Sequence, residues 1–185
     1  GVQTCALPIW FRYTLKAPKR ITHDRRLKDC ATETAFFTDL ARTLGPSLAT
    51  VLFQLPPTMK CDLARLDDFL ATLPRDLRAA FEFRHDSWLV DAVYTRLRDA
   101  GYALCIADFG DKTTPFETPA RYGYLRLRDE GYQAADLARW ADRLAAQAGQ
   151  WDDAFVYFKH EGEGKGPEFA AAFVDLLNAR GVTTA

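Results

Sequence analysis

The chain has 185 residues, 48% hydrophobic and 13% aromatic, enough for one sizeable core, and its length favours a single domain. Its 24 Lys and Arg nearly cancel its 25 Asp and Glu, so the net charge of −1 excludes nucleic-acid or membrane attraction through bulk charge and leaves only a local basic site open. Cys5, Cys30, Cys61 and Cys105 form no C-x-x-C pair and have no zinc-ligand spacing; reduced thiols in a cytoplasmic protein are expected, with no apolar run of the roughly 18 residues that would make a membrane span.

Residues 1–9, GVQTCALPI, lack the basic and apolar segments of a signal peptide. They back-translate as GGA-GTT-CAG-ACG-TGT-GCT-CTT-CCG-ATC, a common sequencing-adapter read. They are expected to be an assembly scar outside the fold, with one domain over residues 10–185. The first strand-like run is then FRYTLKAP (11–18), followed by a helical pattern over 27–45 with Phe36, Phe37, Leu40, Ala41 and Leu44 at helical spacing and Gly45 as its stop. ATVLFQLPP (49–57) is the second strand, and DLARLDDFLATLP (62–74) repeats Leu63, Leu66, Phe69, Leu70 and Leu73 as a second helix. AAFEFRH (79–85) and LVDAVYTRLRDAG (89–101) form the next strand and helix. YALCIAD (102–108) leads into FGDKTTPFETPA, a turn-rich connection with two prolines and no long helix. RYGYLRLR (121–128), the helical 134–151, DAFVYFKH (153–160) and the helical 166–181 complete the chain. Six such units in sequence predict a parallel α/β fold.

The strands alternate instead of reading as continuous apolar runs. Thr14 and Lys16 oppose Tyr13 and Leu15; Glu82 and Arg84 oppose Phe81 and Phe83; Tyr124, Arg126 and Arg128 oppose Leu125 and Leu127; Tyr157 and Lys159 oppose Val156 and Phe158. A doubly wound sheet covers both faces with helices and carries apolar strands at its centre. Alternation predicts instead that apolar faces meet the helices while polar faces converge on a barrel interior, a TIM-type (β/α)8 arrangement. Charges placed there must pair, or border solvent and ligand.

Sites in such barrels lie at the C-terminal ends of the strands. Glu82, Asp108 and His85 are therefore candidates for acid–base catalysis, with an internal salt-bridge network to Arg84 and Lys16 as the alternative. Lys16, Arg84, Arg126, Arg128 and Lys159 against Glu82 and Asp108 give a positive surplus, which suits an anion such as a phosphate or carboxylate. Gln54 stands near the same ends, and Trp88, Tyr124 and Tyr157 either stack on a ligand or simply pack. His23, His85 and His160 all follow strands; a divalent metal shared with Asp108 or Glu161 is one reading, and loop or capping histidines the other. EGEGKGPEF (161–169) places glycines and Lys165 before a helix start, an anion loop or a plain turn; its spacing is not that of a P-loop. RITHDRR (20–26) offers Arg20, Arg25 and Arg26 to a nucleic-acid backbone, one short run on a nearly neutral chain.

Taken in order, KAPKRITHDRRL (16–27), LFQLPP (52–57), FEFRHDSW (81–88), YLRLR (124–128) and VYFKHEGEGKGPEFA (156–170) resemble the YecE-like family, domain of unknown function 72, over residues 10–181. The resemblance implies a (β/α)8-type barrel of uncharacterised activity, with no known cofactor or substrate. Members of that family begin with a Gly-Thr-Ser-x-Trp strand and an Asn-Ser-Thr-Phe-Tyr strand. Neither is present here, so the chain is expected to hold about six of eight βα units.

The expected function is an enzyme of hydrolase or lyase type acting on a small anionic, phosphorylated substrate by acid–base chemistry. Lys16, Gln54, Arg84, Trp88, Arg126, Tyr157 and Lys159 would bind it. The alternatives are a nucleic-acid-binding or nucleic-acid-processing barrel and a non-catalytic ligand-binding protein. No cofactor and no membrane partner are expected, and the sequence sets no oligomeric state.

Overall fold

The computed structural model describes residues 11–109, 112–129, 131–159 and 164–184. Contacts divide the chain into two compact units, one ending at Tyr102 and the other beginning at Ala103. The first contains β1 (Tyr13–Lys16), α1 (Ala31–Arg42), β2 (Leu48–Gln54), α2 (Leu63–Leu70), β3 (Ala79–Glu82) and α3 (Asp91–Ala100). The second contains β4 (Ala103–Asp108), β5 (Tyr122–Leu127), α4 (Ala134–Ala145), β6 (Asp153–Phe158) and α5 (Lys165–Asn178). All six expected strands and five expected helices form, and the β4–β5 connection is non-helical where it is described. Among the described residues no helix is long and apolar enough to cross a membrane.

In the first unit β2 pairs in parallel with β1 on one side and β3 on the other. The register sets Phe53 beside Phe81 and, one residue on, Gln54 beside Glu82. Successive strand residues face opposite ways, so this single step separates a packing face from a polar face. Phe53 and Phe81 are fully enclosed, their rings stacked at 5.3 Å, and Phe69 of α2 meets Phe53 edge-on at 5.2 Å. Asp62 caps α2 by accepting a hydrogen bond from the Arg65 N–H at 3.0 Å. Gly101 ends α3 at φ +74°, a left-handed conformation that glycine adopts without a Cβ clash.

The second unit repeats this logic. β5 lies between β4 and β6, parallel to both. Leu125, Leu127, Val156 and Phe158 pack under Leu137, Trp140 and Leu144 of α4 and Phe173 and Leu177 of α5. Gly123 admits the Trp151 ring against β5: a Cβ at that position would come within 2.5 Å of it. Asp136 anchors the start of α4 by accepting from the Gln133 N–H at 2.8 Å.

α1 departs from the expectation in two ways. It starts at Ala31, not near residue 27, because Arg26, Leu27 and Asp29 take positive φ values of 51°, 65° and 47° and cannot continue a right-handed helix. It also turns an unexpected face inward. Thr34, Thr38 and Ala41 are buried, while Phe36 is 73% and Leu40 59% exposed. The inward threonines satisfy themselves locally, Thr38 Oγ1 donating to the Ala35 carbonyl at 3.1 Å, so small polar residues serve where large apolar ones were expected.

Candidate functional site

Lys16, Gln54 and Glu82 are the last residues of β1, β2 and β3, and Arg84 follows two residues after Glu82. The structure joins these four into one hydrogen-bonded chain. Lys16 Nζ donates to Gln54 Oε1 at 2.8 Å. Gln54 Nε2 lies 2.8 Å from both Glu82 oxygens. Arg84 Nε donates to Glu82 Oε1 at 2.9 Å. A lysine can only donate and a carboxylate can only accept, so the Gln54 amide has one workable orientation, oxygen toward Lys16 and nitrogen toward Glu82. Glu82 is 0% exposed, and an unpaired carboxylate there would be strongly disfavoured; the Arg84 charge and the Gln54 amide offset that cost. Lys16 remains exposed and Arg84 half-buried, so the chain runs from an enclosed anion to cations near solvent.

Just beyond β1, Arg20–Asp24 forms a single π-helical turn that carries His23. Such wide turns recur at functional sites because they re-aim side chains within a helical path. The His23 Nδ1 sits 2.8 Å from Thr22 Oγ1, and that buried hydroxyl donates to the Pro18 carbonyl at 3.3 Å. Burial holds the His23 imidazole below its ordinary pKa; the charges of Lys16, Lys19 and Arg84 push it the same way, and Asp24 opposes them. On sequence His23 is a metal candidate or a loop or capping histidine; in the structure it sits in the turn that follows β1. Arg20 and Arg25 are exposed and both pair with Glu33, at 3.1 and 3.5 Å.

The segment after β3 has a structural task. His85 Nδ1 accepts a hydrogen bond from the Ser87 N–H at 3.2 Å and so caps the short turn Asp86–Trp88. Ser87 Oγ accepts from the Cys61 N–H at 2.8 Å. Trp88 is 0% exposed, stacks on Phe83 at 4.8 Å and donates its indole N–H to the Met59 carbonyl at 2.7 Å. The expectation that Trp88 offers a ring to a ligand is therefore corrected. Both its hydrogen bond and its area are spent on fastening this turn to the loop after β2, because a tryptophan in the core must find a partner for its N–H.

In the second unit Asp108 ends β4 and is 6% exposed. Its carboxylate accepts from the Tyr132 hydroxyl at 2.7 Å and the Thr113 hydroxyl at 2.9 Å. Burial, then the bond to Asp108 and its negative charge, drive the Tyr132 phenol far above its ordinary pKa, so Tyr132 is a fixed donor. The Asp108 carbonyl also receives the Arg128 N–H at 3.0 Å, and the Arg128 guanidinium lies 4.8 Å from the centre of the Phe109 ring. Asp108 thus ties three segments together at the end of β4. Tyr124 and Tyr157 face each other across β5 and β6 at 5.3 Å. Arg126 is half-buried, and Lys159 is exposed, its backbone N–H donating to Leu127 at 3.0 Å. His160 and residues 161–163 of the glycine-rich stretch lie outside the described residues; Lys165 opens α5.

A separate cleft of about 400 Å³ runs between the residue 27–31 loop and α2, floored by Leu27, Cys30 and Phe69; none of the Lys16–Gln54–Glu82–Arg84 chain lines it. Among the described residues no cluster of three or more His, Cys, Asp or Glu is disposed to hold a metal ion.

Comparison with known proteins supports the fold and its grouping. A family model described as "Protein of unknown function DUF72" matches residues 5–185. No curated protein matches. Among solved structures, the chain is similar to a DUF72 family protein from Thermotoga maritima MSB8, with a TM-score of 0.78 and 23% identity over 91% of this chain and 74% of that one. It is also similar to a DUF72 family protein from Enterococcus faecalis V583, with a TM-score of 0.75 and 20% identity over 93% of this chain and 80% of that one.

Proposed function

The chain belongs to the DUF72 family of proteins of unknown function, and from its site we propose that it is an enzyme that binds a small anionic, phosphorylated substrate and acts on it by acid–base chemistry. The observation that carries this reading is the Lys16–Gln54–Glu82–Arg84 chain at the ends of three adjacent strands. Ends of parallel strands are where α/β proteins assemble ligand sites. Here Lys16 and Arg84 would meet the anion. Glu82 and Gln54 would hold those cations in place, so little ordering is left for the ligand to impose. In the second unit, taken by itself, we propose Arg126, Tyr157 and Lys159 at the strand ends as anion-binding residues.

Glu82 already receives three hydrogen bonds, Asp108 is held by Tyr132 and Thr113, and His85 caps a turn. These are holding roles. The acid–base step would fall to a group beside the bound anion and not to an enclosed carboxylate. The pairing of Arg20 and Arg25 with Glu33 takes support from the nucleic-acid reading.

We also read the strands as part of a (β/α)8-type barrel in a cytoplasmic protein. The support is that strands follow chain order within each unit, without the reversal of a doubly wound sheet, and that the apolar face of β5 and β6 packs against α4 and α5. The test of function is a thermal-shift comparison of phosphate monoesters with their neutral parent alcohols, followed by assay of any stabilising compound for turnover. A ligand at a hundred times its Kd adds about 2.7 kcal/mol, a readily measured rise in Tm. Stabilisation confined to the phosphorylated compounds is expected. Equal stabilisation by the neutral parents, or none by either, would overturn the reading.

A further inference from the structure

We propose that the cleft between the residue 27–31 loop and α2 binds a small organic ammonium ion with an apolar body, of the chemistry of an aliphatic or arylalkyl amine. The inference is independent of the anion-binding reading, since no residue of the Lys16–Gln54–Glu82–Arg84 chain lines this cleft.

The cleft holds about 400 Å³, within the roughly 300–1,000 Å³ span of small-molecule sites. Its floor is apolar, since Leu27, Cys30 and Phe69 are all buried. One wall is built from backbone that side-chain-bearing residues rarely adopt. Leu27 and Asp29, with Arg26 just before them, take φ values of 65°, 47° and 51°, and each carries the steric cost of a left-handed conformation. The loop is held in that shape by Leu27 N–H on the Ile21 carbonyl and Lys28 N–H on the Arg25 carbonyl, both at 3.0 Å. Strain that surrounding bonds maintain is a feature of ligand clamps, and here it shapes the wall of a cavity.

The polar lining sets the sign of the ligand. Of its three carboxylates, Asp62 is committed within α2: it accepts from the Arg65 N–H at 3.0 Å and lies 3.2 Å from the Arg65 guanidinium, so that pair also uses the arginine. Asp29 from the loop and Asp68 from α2 have no side-chain partner among the described residues, and Lys28 is the remaining cation of the lining. Two carboxylates therefore stand against one lysine, over an apolar floor. A ligand with an apolar body and a cationic head matches both features. Its body takes apolar surface out of water, and its ammonium supplies the donors that carboxylates require. A neutral molecule of the same shape leaves the carboxylates to water, and an anion meets like charge.

Phenethylamine is the probe, compared with phenethyl alcohol, which keeps the apolar body and replaces the ammonium with a hydroxyl. Nuclear magnetic resonance titration of the full chain should shift the backbone amide signals of Lys28, Asp29, Ala64 and Arg65, with the amine binding roughly fivefold more tightly than the alcohol, the scale of one exposed ion pair. Added salt should narrow that difference. Asp29→Asn/Asp68→Asn should bind the two compounds alike; asparagine also accepts the left-handed conformation, so the change at position 29 keeps the loop. Ala64→Phe should fill the cleft from an exposed position of α2 and abolish binding of both compounds. Asp39→Asn, exposed on α1, should leave both affinities unchanged. Should the double variant fail to fold, the wild-type amine–alcohol comparison and its salt dependence decide. Equal affinity for amine and alcohol in the wild type, shifts confined to residues outside the cleft, or an amine preference that survives in Asp29→Asn/Asp68→Asn would overturn the proposal, and none of these results bears on the phosphate test of the strand-end site.

Discussion

Glu82 and Arg84 form an ion pair across a single intervening residue, Arg84 Nε lying 2.9 Å from a Glu82 oxygen that is sealed from water, while the Arg84 side chain keeps 27% of its surface exposed. The enclosed carboxylate is stable only while its donors are present. Glu82→Met should therefore leave Arg84 and the Gln54 amide without their acceptor and cost about 3 kcal/mol, the lower end for a broken buried pair because Arg84 still reaches water. The double variant Glu82→Met/Arg84→Met should cost less than the single one, since it removes the guanidinium that had paired with Glu82 as well. Urea unfolding of both proteins measures this; a double variant less stable than the single would contradict it.

Arg84→Ala should remove phosphate-dependent stabilisation, because a fork-shaped donor is lost from the site. Arg96→Ala is the control. Arg96 bonds Asp67 at 2.7 Å on the helical surface, an exposed pair that contributes no more than about 1 kcal/mol, and its loss should leave the phosphate response intact. Equal loss of the response in both variants would place the anion elsewhere.

Much of this architecture is legible in sequence. Phe81 and Phe83 alternating with Glu82 and Arg84 specify both the strand and its two faces, because a period of two leaves little freedom. Helix α1 shows the limit of pattern reading. The spacing of Phe36 and Leu40 marks a helix, yet Thr34 and Thr38 face inward, since which face packs is decided by neighbours and not by the helix's own hydrophobicity. Its late start depends on left-handed residues at Arg26, Leu27 and Asp29, none a glycine, so no residue type announces it. For Trp88 the sequence leaves ligand stacking and packing open, because an aromatic after a polar run looks the same in both cases; the structure buries it. The Asp108–Tyr132 bond joins residues 24 apart, and the polar loop around Tyr132 gave no sign of where its hydroxyl would go.

That bond gives a second stability test. Tyr132→Phe keeps the ring but removes a donor from an almost enclosed carboxylate, leaving Thr113 as the remaining side-chain donor that the structure shows on it. The expected cost is about 1–3 kcal/mol, read as a lower urea midpoint with unchanged slope. A variant as stable as the parent would mean that Asp108 does not depend on this hydroxyl.

The pH dependence of folding should carry the His23 signature. Its pKa is lowered in the folded state from an ordinary 6.5, so above that value both states hold the ring neutral and His23 contributes no pH dependence. As pH falls through 6.5 toward the lower folded value, the unfolded chain takes up the proton first and the native state loses stability. His23→Gln should flatten this part of the profile between roughly pH 7 and pH 5 in the absence of anions. An unchanged slope in the variant would assign the acid loss to other groups.

The central claim, that Lys16 and Arg84 together receive an anion, is tested most directly by locating one. Crystals of the full chain soaked in tungstate, a heavy tetrahedral dianion, should show a strong anomalous peak within about 4 Å of both Lys16 Nζ and the Arg84 guanidinium, the reach of a charge-assisted contact. Tungstate bound elsewhere, with the Lys16–Gln54–Glu82–Arg84 chain bare, would contradict the account.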